Sequence, residues 1–359
     1  VSDNFDNRYR INAGILRDLN RLEVLREKIR ISPIIPKEEY RLRREAMISM
    51  IHHSTAIEGN TLSPFEVEQA LGGKTVRAPK REIDEVKNYK KALDYISRQK
   101  MKTLKEIHIL KIHELVSKNI LSKNSSGKYR KGPVYVVKRT PLVQEILYTA
   151  PDFKTVKKLV NNLCNWINDS RKKELSPIVI AGIAHAEIAA IHPFDDGNGR
   201  TARLLATLIL YSAHYDFRKL FALENFYNSY RPGYYEAIHL GKDYAERIAA
   251  DHTPWLSYFV RGFLSEMELV MDKIAPFQYL KSHDAEKIVL SLRELKILDF
   301  LQEFPRATST ELQKAFSVNI RTLQRDLSYL IKKGLVKKKG EKKNAVYNII
   351  LSAPKAPKP

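Results

Sequence analysis

Apolar residues recur at helical spacing along most of the chain, and two stretches break that rhythm. Near the N-terminus Ile15, Leu19, Leu22, Leu25 and Ile29 fall three or four apart, which predicts a charged helix with one buried face. Pro33 and Pro36 separate it from a second helical stretch, Lys37 to His53. Thr61, Ser63 and Pro64, with Glu66 in the first turn, open a helix that runs to Leu71. Ile83, Val86, Tyr89, Ala92 and Leu93 mark another over Glu82 to Ile96. Leu104 to Val116 and Phe153 to Trp166 continue the pattern, with His108 and His113 read as surface or satisfied core residues. Ile178 to Ile191 is apolar on nearly every side, which predicts a helix buried all round. Leu204 to Leu210, Ser229 to Ile238 and Thr253 to Phe259 complete a chain that is mainly α.

The first break lies between Gly127 and Tyr148. Val134, Tyr135, Val136 and Val137, then Ile146, Leu147 and Tyr148, are β-branched and aromatic runs around a polar tip at Arg139-Thr140-Pro141. They predict a β-hairpin. The second break is C-terminal. A helix from Glu294 to Phe304 is ended by Pro305, and a capping box at Thr308 and Glu311 opens a short helix to Phe316. Asn319 to Lys333 forms a third helix with Leu323, Leu327 and Leu330 inward, and Leu335 to Lys339 and Ala345 to Ile349 flank a turn. Three helices and a basic hairpin resemble a small α+β winged helix-turn-helix. In such a module the third helix enters the major groove and the wing touches phosphates, so Arg321, Thr322, Gln324 and Arg325 would face DNA. Lys337 to Lys343 would add salt-sensitive backbone contacts. Winged helices also serve as dimerisation or protein-docking modules, and that use stands open beside the first.

The boundaries that follow are an N-terminal helical region over 1–100, a core over 101–275, the winged module over 285–352 and a disordered tail over 353–359. The 359 residues suffice for two or three domains. No run of eighteen apolar residues occurs, so neither a spanning helix nor a membrane partner is expected. The polar N-terminus lacks a signal-peptide pattern, and Cys164 is the only cysteine, which excludes an intrachain disulfide. A cytoplasmic location is the expectation. A net charge of +21 suggests an anionic partner, although much of it is dispersed over helix surfaces. Pairing of two copies is left open.

The densest chemistry sits between two apolar helices, from Ile191 to Arg203. Pro193 and two glycines break the helix there. Gly197 and Gly199 let backbone N–H groups approach an anion, and the following helix adds its free N–H groups and positive dipole end. Arg200 and Arg203, three apart, turn toward one side, and guanidinium suits bidentate phosphate contact. Asp196 is a ligand for Mg²⁺ alongside phosphate oxygens, and His192 takes a proton near neutral pH. Base, metal carboxylate, anion nest and arginines together favour a nucleoside triphosphate. Two alternatives are weaker: an ordinary turn, since Asp-Gly-Asn is good turn chemistry, and a zinc shared by His185 and His192, for which no third ligand is evident.

The run His192-Pro-Phe194-Asp-Asp196-Gly197-Asn198-Gly199-Arg200-Thr-Ala-Arg203 resembles the complete signature of the Fic family, HxFx(D/E)GNGRxxR. The resemblance implies an all-helical Fic core and transfer of AMP from ATP to a hydroxyl of a target protein or of the chain itself. It implies that His192 deprotonates that hydroxyl, that Phe194 packs into the core, and that Asp196 holds Mg²⁺. Gly197, Asn198 and Gly199 would cradle the α- and β-phosphates, Arg200 would contact the β-phosphate and Arg203 the γ-phosphate. Ser54 and Glu58, four apart before Gly59-Asn60, read by themselves as a capped helix end; they also resemble the family's inhibitory motif (S/T)xxxE(G/N) in its N-terminal position. By that likeness Glu58 would pair with Arg203 and fill the space of the γ-phosphate. Tyr235, and less so Tyr234, would border the adenine pocket, and the hairpin at Val134 to Val137 would dock a target segment by main-chain pairing. The same site could remove AMP or move another nucleotide or a phosphate, or a DNA-binding regulator could use it as a sensor.

Overall fold

The computed structural model describes residues 8–350 except 35, 100, 140–143, 280–289, 305, 317 and 341–344. The hairpin tip, Pro305, the turn of the basic wing and the tail therefore lie outside the described residues. The chain divides into two compact units, one of 1–30 with 47–271 and one of 31–46 with 272–359. Residues 31–46 thus join the C-terminal unit, where the sequence had set them in an N-terminal region. The reason is Tyr40, whose buried ring belongs to the same apolar cluster as Ile297, Leu298 and Leu301.

In the larger unit the helices are α1 (Ala13–Ile31), the second half of α2 (Pro36–Ile57), α3 (Pro64–Leu71), α4 (Lys80–Arg98) and α5 (Glu106–Ser117). After strands β1 (Tyr135–Arg139) and β2 (Gln144–Thr149) come α6 (Val156–Lys172), α7 (Pro177–Ile191), α8 (Asn198–Ser212), α9 (Leu223–Ser229), α10 (Arg231–Ile238), α11 (Tyr244–Ala249) and most of α12 (Thr253–Tyr279). Local signals set several ends. Ser63 caps α3 in a full capping box with Glu66, and Pro64 follows in the first turn. α2 runs four residues beyond His53, through Ser54, before Gly59 stops it at a φ of +94°.

α7 is the spine of this unit and is buried along nearly its whole length. α12 lies across it so closely that a Cβ on Gly182 would meet the Phe259 ring at 2.9 Å, and Trp255 Nε1 donates to the Gly182 carbonyl at 2.8 Å. Two polar groups inside α7 have partners. Glu187 faces Arg8 at 3.5 Å and Arg247 at 3.6 Å, and His185 meets the Tyr234 hydroxyl at 2.9 Å. α8 packs against α7, with α4 and α5 on its other sides. The two central helices therefore hold the loop between them, 192–197, on rigid supports.

β1 and β2 pair antiparallel, Tyr135 with Thr149 and Val137 with Ile146, with an irregularity at Val136 and Val137. Val134 precedes the strand and accepts from the Ala150 N–H at 3.2 Å. The Tyr148 hydroxyl donates to the Ala190 carbonyl at 3.0 Å, which pins the hairpin base beside the end of α7. Among the described residues no helix is long and apolar enough to cross a membrane.

The smaller unit contains α13 (Leu292–Glu303), β3 (Ala307–Thr308), α14 (Ser309–Phe316), α15 (Ile320–Lys332), β4 (Val336–Lys339) and β5 (Val346–Ile349). Its three strands pair antiparallel in the order β3-β5-β4, and β3 was not anticipated from the sequence because it is two residues long. Leu312, Leu323, Leu327 and Leu330 close the core with Val336 and Tyr347. The Tyr40 hydroxyl donates to the Leu295 carbonyl at 3.1 Å, so the first half of α2 packs on α13.

Candidate active site

α7 ends at His192, which takes a left-handed backbone with φ of 48° and ψ of 58°. Few residues other than glycine adopt that region, so something must hold it there. Arg130 does so: its Nε donates to the His192 carbonyl at 2.8 Å and its backbone N–H to the Pro193 carbonyl at 3.0 Å. The imidazole Nδ1 lies 3.2 Å from the Ala189 carbonyl. A carbonyl can only accept, so Nδ1 carries the proton and Nε2 keeps its lone pair. Burial lowers the His192 pKa below the ordinary 6.5, against the opposing pull of the Ala189 carbonyl. The neutral, base-competent form is the resting one near neutrality.

The loop after His192 is stapled from inside. Asn198 accepts from the Phe194 N–H and donates to the Phe194 carbonyl, both at 2.9 Å. Its side chain is thereby committed to bracing the loop. Phe194 is fully buried and stacks on His113 at 3.7 Å between ring centroids. His113 in turn bonds the Asp196 carbonyl at 2.9 Å and accepts from the Gly127 N–H at 3.0 Å. Gly197 stands at the start of α8 with φ of +81°, a turn that glycine takes without strain.

At the head of α8, Arg203 is buried and Ser54 engages it twice, through its hydroxyl to Nε at 2.7 Å and its carbonyl to Nη2 at 3.0 Å. Nη2 also donates to Glu58 Oε1 at 2.7 Å. Burial opposes the Arg203 charge, and the Glu58 carboxylate more than offsets it, so the pKa rises well above the usual arginine range. That carboxylate lies directly over Gly199, where a Cβ would come within 2.3 Å of Glu58 Oε1. The missing side chain at Gly199 thus makes the space that an anion fills. Tyr235 donates its hydroxyl to the Ile57 carbonyl at 3.2 Å, and Tyr234 is buried against His185.

The other arginine is less firmly tied. Arg200 is buried, with Nη1 3.4 Å from Glu85 and Nη2 3.5 Å from Asp196, and among the described residues its Nε and Nη1 lack hydrogen-bond partners. Arg81 donates to Asp196 Oδ2 at 2.9 Å. The Asp196 carboxylate is therefore paired with the Arg81 guanidinium.

Residues 103–210 match the Fic/DOC family. This segment resembles a Fic domain. The chain is 36% identical over 178 residues to the protein adenylyltransferase fic-1 of Caenorhabditis briggsae, a match covering 47% of this chain and 33% of that protein. It is 33% identical over 229 residues to the protein adenylyltransferase Fic of Drosophila grimshawi, covering 60% and 44%. The chain thus spans a third to less than half of the length of these relatives. Among solved structures it is similar in fold to a Fic family protein from Desulfovibrio desulfuricans, with a TM-score of 0.63, 22% identity and 97% and 99% of the two chains covered.

All the motif residues converge at the head of α8 within the matched segment, and Ser54, Glu58, Tyr234 and Tyr235 join them from outside it. The four residues expected to face DNA lie in the smaller unit. Sequence reasoning missed Arg130, Glu85 and Arg81, and it did not foresee the stacking of His113, a buried and satisfied core residue, on Phe194. The clue to Arg130 was its place in Tyr129-Arg130-Lys131-Gly132-Pro133, at the entry to the hairpin. No pattern pointed to Glu85 or Arg81, because the motif residues they reach, Arg200 and Asp196, lie more than a hundred positions away.

Proposed function

We propose that this chain is a protein adenylyltransferase that moves AMP from ATP to a hydroxyl side chain of a target protein or of itself, and that Glu58 restrains it. The carrying observation is the Glu58 carboxylate over Gly199 and against Arg203: an anion already rests where the glycine cradle meets the arginine. The relatives named above as adenylyltransferases support the same reading.

In the step proposed, the acceptor hydroxyl gives its proton to His192 Nε2 as its oxygen bonds to the α-phosphorus. The bond from that phosphorus to the bridging oxygen breaks, and pyrophosphate leaves. Arg200 would hold the β-phosphate and Arg203, once released by Glu58, the γ-phosphate. Asp196 fits a Mg²⁺, which when bound would neutralise phosphate charge. The irregular hairpin, with Tyr135 and Ile146 exposed, would align the target segment through its edge.

The deciding experiment incubates the Glu58→Gly variant with ATP labelled at the α or the γ position and a host lysate. Label from the α position alone is the expected result. Label from γ alone would mean phosphorylation, and loss of AMP from a premodified protein would mean removal instead of addition. The rate should also report His192. Its pKa is lowered, so the imidazole stays neutral until the pH falls below the ordinary 6.5. The acid limb of kcat/KM against pH is expected below 6.5, with a plateau above it; a limb at or above 7 would contradict the assigned base.

We also propose that the smaller unit is a winged helix that binds DNA. α15 exposes Arg321, Gln324 and Arg325, with Thr322 half-buried, and β4 exposes Lys337, Lys338 and Lys339. If they meet DNA, replacing the three lysines by alanine should weaken binding on any sequence and flatten the plot of log affinity against log salt by about three. An unchanged slope would argue for protein docking. The single buried thiol, Cys164, is in keeping with the cytoplasm we propose as the site of action.

A further inference from the structure

The turn after Glu58 is held by more than its own backbone. α2 closes with the Gly59 N–H donating to the Ala56 carbonyl at 2.9 Å and the Asn60 N–H to the Thr55 carbonyl at 3.1 Å, the pattern of a Schellman end. Asn60 is buried and turns its side chain onto α4. Its Nδ2 donates to the Glu82 carbonyl at 3.0 Å and to Glu85 Oε2 at 2.9 Å, while its Oδ1 accepts from the Leu62 N–H at 3.1 Å. Thr61 adds two bonds to the Glu82 carboxylate, both at 2.8 Å.

Glu85 is buried too, and its second oxygen, Oε1, lies 3.4 Å from Arg200 Nη1 and 3.3 Å from Arg81 Nε. Arg81 and Arg200 both reach Asp196, at 2.9 and 3.5 Å, which closes a ring of alternating charges. One buried carboxylate therefore touches the turn that carries Glu58 and the first of the two motif arginines.

We propose that Glu85 is a positioning residue of the restraint: through Asn60 it fixes the turn that aims Glu58 at Arg203, and through Oε1 it keeps Arg200 paired until nucleotide displaces it. The proposal rests on the reading of Glu58 given above. A helix end held only by its last backbone bonds frays, and Glu58 can stay on Arg203 only while the backbone behind it stays put. A hydrogen bond from a buried amide to a buried carboxylate is among the stronger ties available, and breaking it also leaves that carboxylate short of a donor.

The test is Asn60→Asp, which keeps the size and the acceptor for the Leu62 N–H but sets a carboxylate against Glu85. In the otherwise native chain it should raise self-labelling from α-labelled ATP about tenfold, the value of one charge-assisted hydrogen bond. Amide exchange over residues 55–62 should speed up with it. Added to Glu58→Gly it should change nothing further, because the restraint is already gone. Asn60→Ala serves as the second variant if the first does not fold, with the same pattern expected. Glu85→Gln on the Glu58→Gly background should tighten ATP binding severalfold, measured by calorimetry, as Arg200 loses its acid partner. If Glu58→Gly activates while Asn60→Asp alters neither labelling nor exchange, or raises labelling equally in both backgrounds, the anchor is overturned. Unchanged or weaker ATP affinity in Glu85→Gln overturns the hold on Arg200. A Glu58→Gly variant with no gain at all instead refutes the restraint itself.

Discussion

Alanine in place of His192 should lower AMP transfer by about 10²–10⁴-fold, the usual loss when a general base is removed. The comparison is best made on the Glu58→Gly background, where the starting rate is high enough to lose that much. Transfer is read as label from α-labelled ATP, and ATP affinity is measured separately by calorimetry. Affinity is expected to hold, because the cradle and the arginines belong to 197–203 and, among the described residues, the one side-chain bond of His192 is to Ala189. The loop should also survive. Asn198 staples it to Phe194, and Arg130 grips the position 192 carbonyl, an atom that alanine retains. A variant keeping a tenth of the rate would show that the proton goes elsewhere.

The second large effect runs the other way. Glu58→Gly should raise transfer by about ten- to a hundredfold, as expected when a buried arginine exchanges an internal carboxylate for a phosphate contact of similar strength. The gain should appear with the γ-phosphate present and shrink when ADP is compared with ATP for binding, since Arg203 is the group set free. Glycine near the helix end costs about 1 kcal/mol of helix stability, so Glu58→Gln, which keeps the length and drops the charge, is the proper companion. A folded variant with native ATP affinity and native rate would remove Glu58 from the account.

Much of this arrangement was legible from the residues alone because its determinants are local. Spacing four apart put Ser54 and Glu58 on one helical face, and both do meet Arg203. The apolar run before His192 is the buried α7, and the capping boxes at Ser63 and Thr308 lie where the sequence set them. What escaped notice depends on tertiary approach. His113 is the satisfied core residue that its helix allowed, but nothing in that helix reveals that it will stack on Phe194. Nor does the motif reveal that the Asn198 side chain will brace the loop through both backbone groups of Phe194. Residues 31–46 followed the helix they begin, whereas Tyr40 ties them to a core formed some 250 positions later.

That last point bears on how the protein is cut for study. α2 starts in the smaller unit and finishes at the glutamate turn of the larger one. A shortened gene product ending near residue 271 would strip the Tyr40 ring of its neighbours and leave the leading turns of α2 without α13. Any surplus activity in such a fragment would then measure the uncovered first half of α2 as much as a missing domain. Full-length point variants are the cleaner instrument.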